Sequence, residues 1–136
     1  MELFLSAEVD GGVSEALHRA RTRFKKIVVP KLADDYGPGV ERWSVITILR
    51  HSIPEGWGEV RKYHRQSHVA EFRLIIDYVE FKAASSEKQV RMLADSILRS
   101  VDLFPSLKVE DFDIDRFRRD ILDAASSEGW NVHDSI

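Results

Sequence analysis

The 136-residue sequence predicts an α+β fold: an antiparallel sheet of about four strands with helices packed on one face. Three observations lead there. Apolar residues recur with period two or in β-branched runs in several short segments, and at three- and four-residue steps in three longer ones. The resulting order, β-α-β-β-β-α-α, lacks the strand-helix alternation of a doubly wound parallel sheet. Breaks between segments are brief and no stretch reads as a linker, so residues 1–136 are expected to form a single domain.

Glu2 to Val9 alternates, with Leu3, Leu5, Ala7 and Val9 on one side, as a half-buried strand does. Asp10-Gly11-Gly12 ends it. From Val13 the period lengthens: Ala16, Leu17, Ala20, Phe24, Ile27 and Val28 form one helical stripe, which Pro30 should stop or kink because it lacks a backbone donor. Tyr36-Gly-Pro-Gly39 is turn chemistry, and Arg42 to Arg50 (RWSVITILR) then reads as a strand with apolar residues on both faces. After Pro54-Glu-Gly-Trp-Gly58, Glu59 to His64 is expected as a short strand, Arg65 to Ser67 as a hairpin turn, and Val69 to Val79 as the fourth strand. Ser86 with Gln89 suggests a capping box for a second long helix carrying Val90, Leu93, Ala94, Ile97, Leu98 and Val101. Asp113 is placed to cap a third helix, which Gly129 should end.

Composition excludes several classes of function. Apolar residues make up 43% of the chain and charged residues 32%, a balance that supports a folded core. With no cysteine, disulfides, thiolate metal sites and cysteine nucleophiles are absent. The N-terminal MELFLSAEVDGG has the wrong flanks for a signal peptide, no run reaches the roughly 18–20 apolar residues of a membrane span, and a cytoplasmic location is expected. A net charge of -3 offers no general field for nucleic acid. Charge is nonetheless uneven: His18 to Lys31 carries six cations and no acid, whereas Glu110 to Asp123 carries six acids and three arginines.

The stretch KYHRQSHVAEFRLIIDY, Lys62 to Tyr78, gathers most of the candidate site residues. His64 and His68 have a spacing that would converge on a metal from a helix, but on strand and turn that meaning is lost, and no metal site is expected. Along the fourth strand, Ala70, Phe72, Leu74, Ile76 and Tyr78 should face the helices, leaving Glu71, Arg73 and Asp77 outward. If the first and fourth strands pair, Glu8 joins them. Carboxylates around a cation can do acid-base or metal-assisted chemistry, which keeps open a small metal-dependent hydrolase or nuclease using Glu8, Glu71 and Asp77. A cross-strand salt-bridge ladder or an interface is favoured over catalysis, because no P-loop, nucleophile elbow or dinucleotide-binding glycine pattern accompanies them. Lys62, His64, Arg65 and Arg73 interleave with Tyr63 and Phe72 as in a nucleic-acid grip, but acidic neighbours count against one. Trp43 belongs in the core, and Trp57, between two glycines, is a candidate interface anchor.

LFLSAEV (Leu3 to Val9), DYGPG with RW (Asp35 to Trp43), KYH (Lys62 to His64), AEFRLIID (Ala70 to Asp77), FKAA (Phe81 to Ala84) and LRSVDL (Leu98 to Leu103) together resemble the immunity protein 44 family of bacterial polymorphic toxin systems. The resemblance implies a small non-enzymatic α+β protein, without cofactor, that binds and neutralises a cognate toxin C-terminal domain. The expected partner-binding residues are Glu8, Trp57, Tyr63, His64, His68, Glu71, Arg73 and Asp77, with no catalytic residue. A homo-oligomeric regulatory or scaffold subunit pairing through the same face is a further alternative.

Overall fold

Leu3 and Leu5 on the first strand, Trp43, Val45 and Leu49 on the second, and Ala70, Phe72, Leu74 and Ile76 on the fourth are all buried on the same side of one sheet. The period-two alternation therefore does what it predicts. The computed structural model describes residues 1–9, 14–50 and 59–130. Its strands are β1 (Glu2–Val9), β2 (Arg42–Arg50), β3 (Val60–His64) and β4 (Val69–Asp77), and its helices α1 (Ser14–Val28), α2 (Tyr78–Ala83), α3 (Ser86–Leu103) and α4 (Ile114–Ser127). Short 3-10 turns follow α1, at Val29–Lys31, and α3, at Phe104–Leu107.

The α+β class is borne out, but the sheet is mixed and not antiparallel throughout. Its order is β1-β2-β4-β3, in which β1 with β2 and β2 with β4 run parallel and only β3 with β4 is antiparallel. A parallel neighbour needs a crossover connection, and α1 supplies one between β1 and β2. The second parallel pair arises because β4 inserts between β2 and β3, leaving β3 at the edge. Strand β2, central and buried along most of its length on both faces, has the apolar character typical of an interior parallel strand.

Helix boundaries follow local chemistry, with two adjustments. The α1 helix ends at Val28, before Pro30, as the missing donor requires. Strand β4 stops two residues short of the expected Val79, because the Asp77 carboxylate accepts a 2.8 Å hydrogen bond from the Glu80 N–H and starts the additional short helix α2. The cap of α3 is Ser85, not Ser86: its hydroxyl accepts from Lys88 N–H at 3.2 Å, while the Gln89 side chain donates to the Phe81 carbonyl at 2.9 Å. Asp113 caps α4 as predicted, by a 3.1 Å bond from Arg116 N–H. At its other end Gly129 (φ 71°) and Trp130 return bonds to Ser126 and Ala125, both 3.0 Å, a Schellman closure that stacks buried Trp130 on Phe24.

Trp43 is the hub between sheet and helices. It is fully buried, lies 4.9 Å from both Phe72 and Phe117 and 5.1 Å from Phe104, and donates its indole N–H to Ser100 Oγ at 2.9 Å. The DYGPG segment does different work: it holds the α3–α4 connection against the sheet by its backbone. Gly39 N–H donates to the Asp111 carbonyl (3.0 Å), Asp113 N–H to the Tyr36 carbonyl (2.7 Å), and a Cβ at Gly39 would stand 2.0 Å from the Glu110 carbonyl oxygen. Tyr36 locks the same region: its hydroxyl donates to Asp120 Oδ2 at 2.6 Å and accepts from Ala33 N–H at 2.8 Å. Burial, then the bond to Asp120, pushes this phenol up to about 12.

Candidate protein-binding face

Helices cover one side of the sheet; the other side carries the candidate site. Its central strand offers the uncharged residues Ser44, Ile46 and Ile48 to this face, because they alternate with the core residues Trp43, Val45 and Leu49. On the flanking strands β1 contributes Phe4 and Glu8, and β4 contributes Glu71, Arg73 and Ile75. Phe4 and Val60, on the two edge strands, are 42% and 45% exposed, whereas Ser44 and Ile48 at the centre are buried, so the face is partly apolar and open to solvent toward its margins. Arg42 covers part of Phe4, 5.4 Å from the ring centre, and pairs with Glu2 at 3.2 Å.

Across this floor runs one chain of polar side chains. The Arg73 guanidinium lies 3.7 Å from Glu8 and 3.9 Å from Glu71, and Glu71 lies 3.8 Å from His64 Nε2. The chain spans from β1 to β3. Strands β1 and β4 do not pair, contrary to the condition under which Glu8 was expected to join the set; Arg73 is long enough to reach Glu8 past the intervening β2. Arg73 and Glu8 remain 42% and 52% exposed, so each link stabilises the fold by less than about 1 kcal/mol. Such exposed pairs serve mainly to orient the side chains on this face.

The structure divides the expected partner-binding residues. Glu8, His64, Glu71 and Arg73 share the open face. Asp77 caps α2, so its carboxylate is engaged in a local backbone bond. Tyr63 pairs with Ala70 and His64 with Val69, so these consecutive side chains point to opposite sides of the sheet. Tyr63 and His68 consequently belong to a separate cleft of about 450 Å³ beneath the hairpin, together with Pro38, Gly39, Arg65 and the Lys108-to-Asp111 segment. Trp57 lies outside the described residues. The carboxylates proposed for metal-dependent hydrolysis are not gathered into a centre, and among the described residues no group of three His, Asp or Glu side chains is disposed to hold a metal ion. Sequence reasoning singled out the acidic run that begins at Glu110 and Asp111 but missed Lys108 and the meeting of all three with the hairpin, because they come from a connection some 40 residues distant from it. The only local signal was the DYGPG turn, whose glycines permit that approach.

Fold and face together define a class: an α+β protein presenting a half-apolar, charge-laced sheet face, among whose described residues no helix is long and apolar enough to cross a membrane. The chain belongs to the immunity protein 44 family, which it matches over residues 1–127. Comparisons with curated proteins and with solved structures give no match.

Proposed function

We propose that this chain is a one-domain immunity protein that binds a cognate toxin C-terminal domain in the cytoplasm of the producing cell and neutralises it by contact, without catalysis of its own. The observation that carries this reading, beside family membership, is the Glu8–Arg73–Glu71–His64 chain laid over a partly apolar sheet face that no described helix covers. A sheet face with exposed apolar residues at its margins and oriented charges between them has the composition of a specific, non-obligate protein interface. Glu8 and Glu71 both lie beside Arg73, so this face carries both signs of charge and selects its partner by pattern more than by net attraction.

Co-expression with the toxin domain encoded beside this gene tests the proposal. The unaltered protein should restore growth and co-purify with the toxin in a fixed ratio. Glu71→Ala combined with Arg73→Ala should remove protection while leaving the thermal unfolding midpoint nearly unchanged. Full protection by that double variant would move the interface off the open face, and growth arrest in the presence of the unaltered protein would refute the immunity reading.

A further inference from the structure

The cleft beneath the β3–β4 hairpin joins two segments of opposite charge. Arg65 belongs to the basic hairpin, whereas Glu110 and Asp111 open the acidic run that leads into α4, with Lys108 just before them. All four side chains belong to exposed residues, and none has an ion-pair partner among the described residues. Two cations and two carboxylates thus line one cavity without neutralising one another.

The backbone holds this separation in place. His68, Lys108 and Asp111, at φ 54°, 53° and 57°, are the non-glycine residues in the left-handed region among those described, and all three line the cleft. That conformation is uncommon for residues with a Cβ, and persists where surrounding contacts impose it. Here the contacts are visible: Gly39 is clamped to Asp111, and the Tyr63 hydroxyl donates to the Gly39 carbonyl at 2.6 Å. A carbonyl only accepts, so that bond uses the phenol's single proton. The 3.2 Å contact between the Tyr63 oxygen and His68 Nδ1 must then be donated by the imidazole. The imidazole tautomer that makes this bond carries its acceptor lone pair on Nε2, which has no hydrogen-bond partner among the described residues, on a ring whose orientation is fixed from behind.

We propose that this cleft is a second contact for the partner protein, distinct from the open face, and that it receives a loop carrying both signs of charge. A carboxylate on that loop pairs with Arg65 and Lys108, and an adjacent arginine or lysine pairs with Glu110, Asp111 and the Nε2 of His68. Desolvating separated charges is compensated only when each meets its opposite, so a dipolar loop is bound in one register and a loop of single charge is rejected. This inference rests on the immunity reading and names the chemistry of the partner it requires.

Calorimetric titration against the neighbouring toxin domain tests it, using Arg65→Gln for one half of the cleft and Glu110→Gln for the other, each checked for an unchanged unfolding midpoint. Each change should weaken binding by about 10-fold, the scale of losing one partly desolvated charge pair. Asp111→Asn, which keeps a side chain tolerant of the left-handed backbone, should act like Glu110→Gln. Binding at unaltered affinity by both Arg65→Gln and Glu110→Gln, with the unaltered protein binding normally, overturns the cleft contact and leaves the immunity reading standing. Weakening on one side accompanied by tightening on the other overturns the dipolar partner in favour of a singly charged one. A toxin that does not bind the unaltered protein overturns both readings.

Discussion

Replacing Gly39 by alanine should be among the most damaging single-methyl additions this fold can receive. The new Cβ would lie 2.0 Å from the Glu110 carbonyl oxygen and 3.1 Å from that of Asp111, both backbone atoms that no rotamer change can move aside. Relief requires the turn to withdraw from the α3–α4 connection by roughly 1 Å, an overpacking displacement of the kind that costs about 1–3 kcal/mol. That shift also strains two hydrogen bonds, Gly39 N–H to Asp111 at 3.0 Å and Tyr63 hydroxyl to the Gly39 carbonyl at 2.6 Å, worth about 1 kcal/mol each. The total is about 3–5 kcal/mol. Gly129→Ala provides the control: φ there is +71°, but a Cβ meets nothing within 4 Å, so only the left-handed penalty of about 1 kcal/mol applies. Urea unfolding followed by circular dichroism should rank the two variants in that order, with Gly39→Ala losing at least about 2 kcal/mol more. Equal losses would refute the backbone clamp as the element that joins the DYGPG turn to the α3–α4 connection.

Three further outcomes are expected. Ser100→Ala strands the buried Trp43 indole N–H and should lower stability by about 1–3 kcal/mol in the same assay. Tyr36, with its phenol raised from 10.0 to about 12, favours the folded state fully below pH 10, and this contribution is lost as pH rises through about 12, because the unfolded phenol releases its proton first. The difference between the alkaline unfolding curves of the unaltered protein and Tyr36→Phe should show that slope. Asp77→Ala removes the α2 cap and should cost about 1 kcal/mol, more than Arg73→Ala on the exposed ion-pair chain, as thermal denaturation of the pair will show. A loss of protection by Asp77→Ala alone would therefore reflect folding as well as contact.

Local chemistry made most elements legible. Period-two alternation placed Leu3, Leu5, Phe72 and Leu74 in the core, and three- and four-residue steps did the same for Leu17, Phe24, Leu93 and Ile97, because strand and helix geometry alone determine which side chains share a face. Asp113 and Gly129 marked the ends of α4 through bonds that span only a few residues. The Asp77 cap was missed because an apolar alternation running on through Tyr78 and Val79 is compatible with a longer strand; the carboxylate bond to Glu80 N–H decides otherwise.

The site divides along the same line. That Glu71 and Arg73 share a face opposite Phe72 follows from the sequence, since successive residues on a strand alternate. Which strand lies beside β4 does not follow, because pairing depends on how α1 carries the chain over and on β4 slipping between β2 and β3. The meeting of Arg73 with Glu8 across β2, and of Tyr63 and His68 with Lys108, Glu110 and Asp111 in one cleft, was likewise settled only by tertiary packing. The sequence by itself determined the α+β elements, their buried stripes and the family to which the chain belongs. Tertiary structure decided the direction of the strands and the sorting of one charged segment onto two surfaces, because both depend on contacts between residues far apart in the chain.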